Sequence, residues 1–241
     1  MGNWLDGFGM AWGMFLAIPC PLRRWNEKAR EKMLVCLPLI GLIVGGVWVG
    51  VYFLPLPGTL HAALLAAAPW LVTGFLHLDG YMDVCDAVLS RRDLETRRKI
   101  LKDSHCGAFA VICMVLLALA QWSAFLSAES GSWLGLLCIP AASRAGAALA
   151  VRALRPMGTS QYAAMEKPHG GCTAALCVLL TVSVVLPLLL DGSFAPLGAA
   201  AGYWLAVWHG FQQLDGMSGD ISGFALTLGE LAGAAVWALV R

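Results

Sequence analysis

Phe75-Leu76-His77-Leu78-Asp79-Gly80-Tyr81-Met82-Asp83-Val84-Cys85-Asp86 sets three carboxylates at the end of an apolar run, just ahead of a basic segment from Arg91 to Lys102. At ~100° per helical residue, the three aspartates fall within roughly 60° of one another on one face. Negative charges that close repel unless a cation sits between them, and oxygen-only ligands suit Mg²⁺. Asp79, Asp83 and Asp86 are therefore candidate metal ligands, and Gly80 would let a substrate or a neighbouring backbone approach closely. The stretch reads as a metal site at the edge of a membrane.

The composition agrees with that setting. Of the 241 residues, 59% are hydrophobic and 13% charged, whereas a soluble domain carries about a quarter charged residues. The class is a polytopic membrane protein, most simply one domain over residues 1–241. A net charge of +1 and the lack of a basic tail give no sign of a nucleic-acid partner. The eight cysteines are scattered, with no CxxC pair or Cys/His cluster, so neither a disulfide framework nor a zinc site is suggested. The opening residues, with Asp6 and no basic residue before Arg23, lack the charged start of a secretory signal.

Residues 8–18 are apolar but end at Pro19 and Pro21, too short to span ~30 Å of hydrocarbon, and read as an interfacial or re-entrant helix. Seven longer apolar runs follow, at 33–55, 61–79, 107–127, 133–151, 172–190, 197–213 and 222–240. The fold expected is all-α, a bundle of about seven transmembrane helices. Five Lys or Arg lie in 23–32, six in 91–102 and three in 152–167, while the connections near 56–60, 128–132 and 191–196 have none. The positive-inside rule places the N-terminus and every basic loop in the cytoplasm, with Arg241 on the far side. The aspartates, the basic segment, the loop 152–170 and the stretch 214–221 then share one face of the membrane, where a common site is expected.

Several residues beyond the triad are candidates. Arg97, Arg98 and Lys102 either touch anionic lipid head groups or hold phosphate, and Asp103 or Ser104 is placed to cap the next helix. Asp215-Gly216-Met217-Ser218-Gly219-Asp220-Ile221-Ser222-Gly223 opens the last run; its glycines permit close backbone approach, and Asp215 and Asp220 could complete a second metal position. Arg144 and Glu230, each costly alone near mid-membrane, are expected to pair. The loop 152–171 adds Ser160, Gln161, Glu166, Lys167 and His169, and His77 is read as a packing or hydrogen-bonding residue.

His77-Leu78-Asp79-Gly80-x-x-Asp83-x-x-Asp86, followed by Arg98-Lys99-Ile100-Leu101-Lys102-Asp103-Ser104-x-x-Gly107, resembles the cobalamin synthase family, adenosylcobinamide-GDP ribazoletransferase. Its later Gly-x-x-Gly-Asp-x-x-Gly signature is matched by Gly216, Gly219, Asp220 and Gly223, and the likeness keeps its order from about residue 14 to 230. Leu16-Ala17 stands where the family commonly has Thr-Arg, so no function is carried to that segment.

The resemblance implies the last assembly step of the corrinoid nucleotide loop in a prokaryotic cell membrane. A hydroxyl of α-ribazole, or of its 5′-phosphate, attacks the phosphorus attached to cobinamide in adenosylcobinamide-GDP, and GMP leaves. On this reading Asp79, Asp83, Asp86, Asp215 and Asp220 serve Mg²⁺, and an acid of the triad or Asp220 takes the hydroxyl's proton. Arg97, Arg98, Lys102, Asp103, Ser104, Gly216 and Gly219 serve the substrate's phosphates. Homo-oligomers and association with other corrinoid-pathway enzymes stay open. Two alternatives compete: a CDP-alcohol-type phosphotransferase, disfavoured because Met82-Asp83 follows Asp79-Gly80, and a cation-coupled transporter, disfavoured because the acids cluster at one face without a repeat.

Overall fold

The structure is a computed structural model that describes residues 3–20, 22, 25–128, 131–158 and 170–240. Eleven helices and no strand occur among the described residues. α1 (Trp4–Phe15) leads through a 3-10 turn to α2 (Arg30–Val35), α3 (Leu37–Tyr52), α4 (Gly58–Val72), α5 (Leu76–Leu89) and α6 (Leu94–Ile100). Five long helices complete the chain: α7 (Ala108–Ser127), α8 (Trp133–Ala153), α9 (Gly170–Asp191), α10 (Ala195–Leu214) and α11 (Gly219–Leu239).

All seven apolar runs fall on helices, but length and hydropathy qualify four to six spans rather than seven. α7, α8, α9 and α11 qualify unbroken; α2 with α3 and α4 with α5 qualify only as pairs bent by 53° and 93°. α10, which covers the run 197–213, is not among them, because Tyr203, Trp204, His209, Gln212 and Gln213 dilute its hydropathy. Residues 8–18 cover most of α1 and the three residues after it, where the chain bends, too short a helix to span.

The expected run 61–79 ends early, at Val72. Gly74 and Phe75 both take left-handed backbone angles (φ +60° and 63°), and the chain turns sharply there before α5 begins. Left-handed backbone at a non-glycine residue costs of order 1–3 kcal/mol. Local bonds offset it: the Thr73 hydroxyl donates to the Pro69 carbonyl at 2.8 Å and Ala17 N donates to Val72 O at 2.8 Å. Asp79 consequently lies in the first turn of a new helix, not at the tail of a membrane span.

α8 forms the centre. Most of its residues are buried, whereas α7 and α9 are largely exposed and turn Val and Leu side chains outward as a lipid-facing surface would. Small residues permit the central packing. Gly41 and Gly45 of α3 lie against the backbone of Pro140 and Leu137 in α8, and Gly229 of α11 lies against Ala199 O of α10. Arg144 of α8 and Glu230 of α11 pair at 2.5 Å with both side chains almost fully buried, as their cost in isolation predicts.

The two ends of the bundle differ. At one, Tyr52 donates to Gly131 O (3.1 Å), Trp237 donates to Ser132 O (2.7 Å), and the Ser132 hydroxyl donates to Asp191. The other gathers α5, α6, the start of α7 and the α10–α11 turn, and with them most of the candidate site residues. Among the described residues the aspartates, the basic segment and the stretch 214–221 lie together at this end; residues 159–169 of the loop 152–170 are outside them.

Candidate active site

α5 is held against α11 by two glycines. A Cβ on Gly80 would stand 2.9 Å from the Asp220 Cα, and one on Gly223 would stand 3.1 Å from His77 O. The Thr227 hydroxyl adds a bond to His77 O at 3.2 Å. This crossing brings Asp79 and Asp83 to half-buried Asp220, so that the charges of Asp79, Asp220 and Asp86 all act on Asp83. Ser218 caps α11 by accepting from Ile221 N at 3.3 Å, and the approach to Gly80 falls on that first turn.

Facing this acidic surface is the loop after α6. Asp79 and Asp83 on one side and Lys102, Asp103, Ser104 and His105 on the other line a polar pocket of about 310 Å³. Asp103 accepts from both His105 N (3.0 Å) and His105 Nδ1 (2.7 Å). Those bonds hold the Asp103 carboxyl below the usual carboxylate range.

The third aspartate also holds two backbone amides. Asp86 accepts from Gly107 N at 2.5 Å and Ala110 N at 3.1 Å, so its carboxylate occupies the exposed amides at the start of α7. A Cβ on Gly107 would collide with that carboxylate. Asp86 thus anchors the end of the 101–107 loop and is not among the residues lining the polar pocket.

The arginines are engaged within the protein. Arg97 donates to Gln213 O (3.2 Å) and Oε1 (2.6 Å), and Arg98 to Leu214 O (3.0 Å) and Asp215 O (2.7 Å). These carbonyls are orphans of the α10 C-terminus, where Asp215 takes a left-handed conformation. Arg98 and Arg155 both pair with the Asp215 carboxylate. Asp215 is therefore engaged by two guanidiniums, and neither it nor Arg97 and Arg98 lines the polar pocket. Gly216 is a packing glycine: φ is +149°, and a Cβ would stand 2.7 Å from the Met157 Cα. Backbone bonds between Met157 and Met217 and between Met217 and Arg155, each 2.8 Å, secure this turn.

A second cavity, of about 250 Å³, lies on the other side of Asp79. Its walls are largely apolar, from α1, α2, α3 and α11, with His77, Asp79, Arg144, Gly219 and Asp220 among its lining. Its apolar lining was missed in the sequence, since Met and Leu there look like any other membrane-helix residues. Ser160, Gln161, Glu166, Lys167 and His169 lie outside the described residues, as do Arg23 and Arg241.

Comparison with known families decides the assignment: the profile described as Cobalamin-5-phosphate synthase matches residues 7–238. This chain belongs to the cobalamin-5-phosphate synthase family. The match runs from α1 to α11 and so includes every element of both cavities. An adenosylcobinamide-GDP ribazoletransferase of Clostridium botulinum (strain Alaska E43) is 36% identical over 250 residues, covering 97% of each chain. Proteins of the same name from Clostridium perfringens (strain 13) and Halalkalibacterium halodurans are 36% and 35% identical, covering 93% and 96% of this chain and 94% of each relative. No solved structure matches. Among the described residues, no three His, Cys, Asp or Glu side chains converge as a cage able to hold a metal ion alone.

Proposed function

We propose that this member of the cobalamin-5-phosphate synthase family transfers the cobinamide phosphate of adenosylcobinamide-GDP to α-ribazole or its 5′-phosphate, releasing GMP on the cytoplasmic side of the cell membrane. The observation that carries the reading is the position of Asp79, which lines both the polar pocket and the apolar cavity. A phosphoryl-transfer site needs such a boundary, with the charged donor on one side and an alcohol on the other. Described basic residues from all three loops, Arg30, Arg98 and Arg155, lie at this end of the bundle, which supports the cytoplasmic orientation.

The donor set fits Mg²⁺. Asp79 and Asp83 supply oxygen ligands beside a pocket open to substrate, and Mg²⁺ is usually held by one or two carboxylates plus substrate phosphates, not by an all-protein cage. Mg²⁺ held there would neutralise the diphosphate and the charge developing on departing GMP. Lys102 offers a compact cation and Ser104 a hydroxyl donor to the same diphosphate. The acceptor's hydroxyl oxygen forms the new P–O bond, the bond to the GMP phosphate breaks, and the hydroxyl proton passes to a carboxylate. Asp79 and Asp220, which border the second cavity, are the carboxylates we assign to take it. Purified protein given adenosylcobinamide-GDP, α-ribazole and Mg²⁺ should release one GMP per corrinoid product. GMP release no faster than in a protein-free control would refute the assignment.

A further inference from the structure

Arg144 is 1% exposed and His77 8%, yet Arg144 Nε and Nη2 and His77 Nε2 have no hydrogen-bond partner among the described residues. Both residues line the second cavity, whose remaining walls include Phe15 of α1, Met33 and Leu34 of α2 and Leu226 of α11; Asp79 and Asp220 border it on the side of the polar pocket, and Arg30, which also lines it, is paired with Glu27 at 2.9 Å. Buried polar atoms are nearly always satisfied, and unsatisfied ones on two residues that border the same cavity point to a ligand that completes them.

The chemistry of that ligand is constrained. Arg144 already pairs with Glu230 at 2.5 Å, so the ion pair is neutral as a unit and suits a neutral acceptor atom better than a second anion. Its free N–H groups only donate, so the ligand atom carries a lone pair, such as an unprotonated ring nitrogen. Phe15 lies nearly parallel to His77 (6.2 Å between ring centres, 25° between planes), presenting a flat wall. An apolar chamber with a flat side and a few convergent donors fits a fused heteroaromatic ring.

We infer that this chamber holds the nitrogen base of the acceptor nucleoside, its ring nitrogen hydrogen-bonded by Arg144 and its ring resting against the Phe15–His77 wall. The inference rests on the reaction proposed above and names where its second substrate binds. With the base so placed, the ribose hydroxyl lies toward Asp79 and Asp220, beside the polar pocket that takes the diphosphate. α1 then has a role that its length as a failed span did not suggest: Met14 and Phe15 close one side of the base site.

The test uses the full-length protein in nanodiscs with α-ribazole, its analogue with indole in place of the benzimidazole (CH for the free ring nitrogen), and adenosylcobinamide-GDP. Leu34→Trp, which fills the chamber, should raise the KM for α-ribazole at least tenfold while the KM for adenosylcobinamide-GDP stays within twofold. Met33→Ala, which widens it, should improve use of ribosides carrying one more fused ring severalfold relative to α-ribazole. Wild type should use the indole analogue about tenfold less well than α-ribazole, and the Arg144→Met, Glu230→Gln double variant should show no such preference. Folded Leu34→Trp and Met33→Ala proteins with wild-type acceptor kinetics would overturn the inference, as would a raised KM for the diphosphate substrate alone. If Leu34→Trp does not fold, Met33→Ala and the indole comparison decide. A wild type that releases no GMP sinks the reaction itself, and this inference with it; an active wild type with indifferent variants sinks only the chamber's assignment.

Discussion

Gly80 of α5 lies so close to Asp220 of α11 that a Cβ would stand 2.9 Å from both the Cα and the carbonyl oxygen of Asp220. The approach of two backbones, not of two side chains, is what brings the first acidic motif to the last. Overpacking at such a contact costs about 1–3 kcal/mol. Gly80→Ala should therefore lower the melting temperature and cut turnover at least tenfold by moving Asp79 and Asp83 away from Asp220. Wild-type turnover in a folded Gly80→Ala protein would show that the crossing does not set the site.

Asp83 and Asp86 are separated by less than one helical turn but face different partners. Asp83→Asn should abolish turnover while membrane insertion and melting temperature hold, because its carboxylate belongs to the polar pocket. Asp86→Asn should weaken the hold on the Gly107 and Ala110 amides, costing about 0.5–2 kcal/mol in stability and leaving partial activity. Thermal unfolding and GMP release measured together separate the two. A dead Asp86→Asn protein with wild-type stability would mean that Asp86 acts in the chemistry after all.

Arg98 donates to two α10 carbonyls as well as to the Asp215 carboxylate, an arrangement that a lysine's single ammonium cannot reproduce. Arg98→Lys should thus be nearly as damaging as Arg98→Ala, with a lower melting temperature and reduced kcat. The KM for the diphosphate substrate should change less than twofold in both. A selective rise in that KM would restore Arg98 to the phosphate-binding residues.

The Arg144–Glu230 pair should show strong coupling. Breaking a buried pair from one side costs about 3–5 kcal/mol, whereas replacing both members by apolar groups is often close to neutral. Glu230→Gln or Arg144→Met alone should unfold at markedly lower temperature than the Arg144→Leu, Glu230→Leu double variant. Additive effects in the cycle would show that the two charges do not depend on each other.

Much of this protein is written locally in its chain. The excess of apolar residues and the low charge make it a membrane helix bundle, and the distribution of Lys and Arg predicts that its basic loops share one side. The expense of single charges in lipid made the Arg144–Glu230 pair foreseeable, and the spacing of Asp79, Asp83 and Asp86 marked all three for a shared face. These features follow from helical periodicity and from transfer between water and lipid, which act residue by residue. Tertiary structure alone decided that the run 61–79 breaks at Gly74 and Phe75, since Leu76-His77-Leu78 reads as more of the same helix. It alone assigned Asp86 to the α7 amides and Arg97 and Arg98 to the carbonyls at the end of α10, and it alone assembled a chamber from α1, α2, α3, α5, α8 and α11. Each of those outcomes depends on groups distant in sequence, such as Asp86 with Gly107 or Arg98 with Asp215, competing for unsatisfied backbone atoms that exist only once the helices have packed.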